Sequence, residues 1–161
     1  MPDELKVHDA APDFRAMAVG SEYGDGHEVS LSDFRGSAVV LYFYPKDDTP
    51  GCTVQACGIR DAWSKLKSRA RIFGVSVDPA ASHRKFIDKF NLPFPLLSDP
   101  ERKIVQDYGV WVEKSFMGKK HMGVERTTFV IDSNGLISRI YRKVKPENHV
   151  DLLEEALGPN Q

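Results

Sequence analysis

Two periods of apolar and polar residues run along this chain, and each predicts its own kind of element. Ala38 to Tyr44, "AVVLYFY", is apolar at nearly every position, the pattern of a central strand covered on both faces, and Pro45 ends it. Arg71 to Val77, "RIFGVSV", reads the same way and stops at Asp78-Pro79. Between them Val54, Ala56, Ile59, Trp63 and Leu66 recur at helical spacing, which predicts a helix from Gly51 to about Lys67. Strand, helix, strand within this length is a crossover unit of a parallel sheet.

Towards the N-terminus, Phe14 to Val19 and Glu28 to Leu31 flank "YGDGH", whose Asp-Gly pair predicts a β-hairpin. Beyond the crossover, Ala81 to Phe90 reads as a helix with Phe86, Ile87 and Phe90 on one face, ending in the Pro-broken "NLPFPLLSDP". Glu101 to Tyr108 is a further short helix. "RTTFVID" and "LISRIYR" flank Ser133-Asn134-Gly135 and predict a second hairpin. Asn148 to Leu157 closes the pattern as a helix, with Glu147 and Asp151 near its start and Gly158 then Pro159 as its stop. The fold class is therefore α/β: a mixed central sheet flanked by helices, with an N-terminal β-hairpin. No repeat, low-complexity tract or linker interrupts it, so residues 1–161 are read as a single domain.

Charge narrows the function. The 22 Lys and Arg nearly cancel the 23 Asp and Glu, so no net field draws polyanions or acidic membranes, and nucleic acid is not an expected partner. No apolar run approaches membrane-spanning length and the N-terminus lacks a signal-peptide core, so the expected location is cytoplasmic. In that reducing setting the chain's 2 cysteines are not needed as a staple, which leaves metal, catalysis or packing.

Cys52 and Cys57 fall on the helix predicted after the first central strand, the end of a strand where open α/β sheets favour ligand chemistry. Residues at that spacing on an ideal helix have Cα atoms about 8.6 Å apart, from a rise of about 1.5 Å and a turn of about 100° per residue. A disulfide needs roughly 4.4 to 6.8 Å. The pair cannot be bridged while the helix is intact. Cys52 sits near the helix N-terminus, where unpaired N–H groups and the dipole favour a thiolate, so it is the candidate nucleophile. Pro50 and Gly51 suit the first turn, and Thr49 is placed to cap it or to hold a hydroxyl beside the sulfur. The plainer alternative keeps both cysteines as small hydrophobes of the core. Zinc fits poorly, because this spacing is at the margin for a ligand pair and His8, His27, His83, His121 and His149 are scattered. Most of these histidines are read as solvated surface residues, and no metal or cofactor is expected.

The segment "YFYPKDDTPGCTVQAC" resembles the active-site segment of the peroxiredoxins, through Pro45, Thr49 and Cys52. A second cysteine at Cys57 is similar to the bacterioferritin-comigratory, or Q-type, subfamily. "AAPDF", "VSLSDFRG", "LPFPLLSD", "YGVWVEKSFMGK" and "ERTTFVID" resemble further family segments, in the expected order. The resemblance implies a thioredoxin-like fold and reduction of hydrogen peroxide and organic hydroperoxides, with recycling by a thioredoxin or glutaredoxin-like donor. It implies that Cys52 is oxidised to a sulfenic acid and that Cys57 resolves it as an intramolecular disulfide, after local unwinding of the helix. Arg126 matches the active-site arginine, which would hold the thiolate and the developing charge. Thr49 would donate a hydrogen bond to the peroxide, and Pro45, Pro50 and Gly51 would complete the pocket. Trp111 and Phe116 are read as packing or pocket wall. No cysteine follows the last helix, so the intersubunit disulfide of dimeric subfamilies is not expected and a monomer is. A general thiol-disulfide oxidoreductase would carry Cys-x-x-Cys, which this chain lacks; a redox-controlled holdase is the alternative from another class.

Overall fold

The computed structural model describes residues 4–158. At its centre β3 (Val39–Phe43) is buried at every position, and its side chains serve two cores in alternation. Leu41 and Phe43 point into one, with Phe73, Tyr108 and Phe129. Val40 and Tyr42 point into the other, with Ile59, Phe86 and Leu153. This two-sided burial is why the strand reads as a continuous apolar run. β3 pairs in parallel with β4 (Arg71–Ser76), which pairs in parallel with β5 (Leu96–Ser98). On its other edge β3 pairs antiparallel with β8 (Thr127–Ile131), which pairs antiparallel with β9 (Ile137–Tyr141). The predicted N-terminal hairpin forms from β1 (Arg15–Val19) and β2 (His27–Ser30) and joins the sheet antiparallel to β5. The result is one mixed 7-stranded sheet in the order β2-β1-β5-β4-β3-β8-β9.

Helices lie on both faces, as the pattern predicts. Residues of α1 (Pro50–Asp61), α3 (Ala80–Phe90) and α5 (His149–Leu157) fill one core, and residues of α4 (Lys103–Asp107) enter the other. Phe86 and Ile87 are buried on α3, and the left-handed Asn91 (φ 53°, ψ 50°) ends it. Gly158 terminates α5 as expected, while Pro159 lies outside the described residues. Among the described residues no helix is long and apolar enough to cross a membrane.

The structure departs from the sequence pattern in three elements. The single helix predicted to Lys67 is broken at Ala62 (φ −98°, ψ 6°) into α1 and a short α2 (Trp63–Leu66). The break turns Trp63 onto Phe94, ring centroids 5.8 Å apart, while Leu66 still enters the core. β5 is a strand inside the segment read only as Pro-broken. Between α4 and β8 the chain forms a separate hairpin, β6 (Trp111–Phe116) and β7 (Lys119–Val124), turned at the left-handed Met117 and Gly118. Trp111 is half-buried there, beneath the Arg102 guanidinium at 5.1 Å. Phe116, read as packing or pocket wall, is 69% exposed, so it does not pack in a core.

Candidate active site

The chain leaves β3 at its C-terminal end through a loop that is pinned before the helix begins. Asp47, buried, accepts hydrogen bonds from the Tyr44 hydroxyl at 2.5 Å and the Ser82 hydroxyl at 2.8 Å, and its carboxylate lies 2.7 Å from His83 Nδ1. Its own N–H donates to Asp78 Oδ2 at 2.9 Å, and the Ser76 hydroxyl donates to the same oxygen at 2.7 Å. The His83 ring spans from Asp47 to the Leu97 carbonyl, 2.9 Å from Nε2. Among the described residues Asp47, Asp78 and His83 are the one group with metal-ligand geometry, within 4.8 Å of one another, but their atoms are engaged by these protein partners. The cluster instead ties the loop to α3. Most of the histidines lie at the surface, as expected, with His8, His27 and His121 exposed; His83 and His149 are the exceptions and are fully buried.

Thr49 then takes the N-cap position of α1 with extended backbone (φ −104°, ψ 157°), and Pro50 opens the first turn. The Thr49 carbonyl accepts the Thr53 N–H at 2.8 Å. Its hydroxyl makes no cap; it donates to the Lys46 carbonyl at 2.8 Å. That proton is therefore already taken, and the hydroxyl offers lone pairs where the resemblance implied a donor. Pro45 is half-buried before this turn and Pro50 is exposed.

Cys52 sits in the first turn of α1, 2% exposed, with no side chain capping the N–H groups around it. Arg126 reaches it from the adjacent strand end. Because Phe43 of β3 is opposite Thr127 of β8, the residue before β8 emerges beside the helix that follows β3. Arg126 Nη1 donates to Cys52 Sγ at 3.5 Å and to Gln55 Oε1 at 2.6 Å. Gly51 makes room for this: a Cβ there would stand 3.1 Å from Arg126 Nη2 and 3.4 Å from Pro146 Cγ. Lys114 adds a second cation on this side, its ammonium donating to the Val124 carbonyl at 2.5 Å. Burial and then the Arg126 charge hold Lys114 below the usual lysine range, with Cys52 acting in the opposite sense.

Behind Arg126 lies a line of buried polar groups that sequence reasoning missed. Gln55 Nε2 is 3.1 Å from His149 Nδ1, and His149 Nε2 is 2.9 Å from Thr128 Oγ1. Burial, then the Arg126 charge, push the His149 imidazole down to about 3. The Tyr42 ring lies tilted against His149, centroids 5.3 Å apart, and over Gly74, and burial raises its phenol well above the ordinary range. Gln55 carries a faint signal, since it lies one helical turn from Cys52 and so shares its face. His149 carries none, because only the packing of α5 on α1 brings it near.

Thr49, Pro50, Gly51, Cys52 and Arg126 thus meet at one place. Cys57 lies further along α1, half-buried, and both thiols are free. The helix between them is intact, so the spacing that forbids a disulfide holds in this state. A cavity of about 560 Å³ is at the other end of the parallel strands, bounded by Ser37, Arg71 and Pro95, and is not part of this site.

The AhpC/TSA family matches residues 7–140. The chain is 52% identical over 127 residues to a putative peroxiredoxin Bcp of Coxiella burnetii, covering 78% of this chain and 84% of that protein. It is 43% identical over 150 residues to peroxiredoxin Bcp of Escherichia coli strain K12, covering 92% and 93% respectively. The solved structure of Xanthomonas campestris peroxiredoxin Q superposes with a TM-score of 0.81 at 34% identity over 89% of each chain, which makes the helix-flanked sheet a thioredoxin-like fold. A family match over most of the chain and relatives of this similarity place the chain in the AhpC/TSA family, as a Bcp or Q-type peroxiredoxin and a thiol-dependent peroxidase.

Proposed function

We propose that Cys52 is the peroxidatic nucleophile, acting on hydrogen peroxide and organic hydroperoxides. The observation that carries this is the Arg126 donor 3.5 Å from Cys52 Sγ at the uncapped start of α1. The thiolate attacks the nearer peroxide oxygen, the O–O bond breaks, and the leaving oxygen takes a proton to depart as water or an alcohol, leaving a sulfenic acid. Arg126 holds the sulfur and meets charge on the peroxide oxygens as it develops. Thr49 accepts the peroxide O–H, the direction left open by its bond to Lys46. Gly51 keeps the guanidinium seated, and Pro45 and Pro50 border the approach.

Cys57 then resolves the sulfenic acid. Its thiolate attacks the Cys52 sulfur and displaces the oxygen as water, and the product disulfide is reduced by two electrons from a dithiol protein of the thioredoxin or glutaredoxin kind. Because both cysteines stand on α1, this cycle needs no second subunit, and we infer a monomer working in the reducing cytoplasm.

Replacing each thiol tests the assignment. Cys52→Ser abolishes peroxide consumption. Cys57→Ser retains the first turnover, with a sulfenic acid on Cys52 that excess peroxide drives to the sulfinic acid. Peroxide consumption by Cys52→Ser at the wild-type rate contradicts the assignment.

A further inference from the structure

The buried line behind Arg126 has its hydrogen atoms assigned by chemistry alone. A guanidinium only donates, so the Gln55 atom facing Arg126 at 2.6 Å is the amide oxygen. The Gln55 NH2 group is then the donor to His149 Nδ1 at 3.1 Å. With Nδ1 accepting, the neutral imidazole carries its hydrogen on Nε2 and donates it to Thr128 Oγ1 at 2.9 Å. The His149 ring has 0% exposure, and its place as the first residue of α5 sets it at the positive end of that helix.

Gln55 lies between the two cysteines on α1, whereas His149 and Thr128 belong to α5 and β8. Unwinding α1 to join Cys57 to Cys52 therefore withdraws Gln55 from both Arg126 and His149. We propose that His149 is a positioning residue which, through Gln55, seats the Arg126 guanidinium on the Cys52 sulfur and latches the first turns of α1 in helical form. This rests on the roles proposed above for Cys52, Cys57 and Arg126, but it is testable without peroxide.

Opening the latch uncovers the imidazole, so opening is coupled to proton uptake. The charged and titratable groups facing His149 are Arg126 ahead of β8, Tyr42 on β3, which itself feels Cys52 and Cys57 of α1, and Asp151 in the first turn of its own helix. His149 is held neutral when α1 is closed and titrates near its ordinary value when α1 is open.

Amide hydrogen exchange on the reduced protein tests this, with protection of residues 52–57 corrected for intrinsic rates at pH 7.5 and 5.5. Wild-type protection falls about ten-fold on acidification, because the open form alone binds the added proton. His149→Asn supplies an amide oxygen in place of Nδ1 and does not titrate; it keeps most of the protection at pH 7.5 and loses the pH dependence. His149→Leu removes the acceptor and lowers protection of α1 about ten-fold at pH 7.5, with β3 unchanged. Wild-type protection that ignores pH, or a His149→Asn profile that keeps the wild-type pH dependence, overturns the latch. Neither result touches the peroxidase reading, which is read separately from peroxide consumption by the same proteins.

Discussion

Gly51 and Arg126 are fitted to one another: the guanidinium occupies the space a side chain at residue 51 would fill, with Arg126 Nη2 3.1 Å from where a Cβ would stand. Gly51→Ala separates two effects that usually move together. Alanine favours the helix by roughly 0.5–1 kcal/mol, yet it displaces Arg126 from the sulfur. The expected outcome is a protein at least as stable as wild type whose Cys52 reacts with hydrogen peroxide about ten-fold more slowly, measured by urea denaturation and stopped-flow mixing.

Arg126 itself is the larger loss. Arg126→Ala removes a charged donor aimed at the reacting atoms, an effect of about 10²–10³ in rate. Arg126→Lys keeps the charge but cannot serve Cys52 and Gln55 together with a planar fork, so it recovers only part of that loss. Single-turnover rates with hydrogen peroxide measure both.

Gly74 supports the site from beneath. A Cβ there would meet Tyr42 Cζ and Leu96 Cδ2, each at 2.7 Å, and both side chains are buried in a close-packed core that resists their displacement. Gly74→Ala overpacks this point and costs about 1–3 kcal/mol in denaturant unfolding.

Acid weakens the fold through His149. Its folded-state value, about 3, lies below the ordinary 6.5, so the stability it confers is complete above pH 6.5 and is lost as pH falls towards 3. Between pH 7 and pH 5 this amounts to about 2 kcal/mol. The carboxylates also titrate in acid, so the quantity to measure is the difference in slope between wild type and His149→Asn in urea unfolding; the variant is the flatter of the two.

Much of this architecture is visible in the residues themselves. β3 and β4 are legible because burial on both faces makes them continuous apolar runs, and the crossover between them places Cys52 at the start of a helix. The stop at Ala62 is not legible, since alanine is the best helix former and the break is set by the packing of Trp63 on Phe94. β6 and β7 escape because both are largely exposed and carry no alternation. Cys52, Thr49 and Arg126 can be found from motif and resemblance. The Asp47–His83 and Gln55–His149 contacts cannot, because each joins residues far apart in sequence through helices whose docking no local pattern encodes.

In the proposed cycle one helix holds the nucleophile and its resolver apart until oxidation. Reduced protein is mixed rapidly with one equivalent of hydrogen peroxide, its thiols are counted, and its peptides are mapped by mass. The account predicts loss of both thiols and a single Cys52–Cys57 linkage within one chain. Two free thiols, after a time in which ordinary cysteine barely reacts, would contradict it.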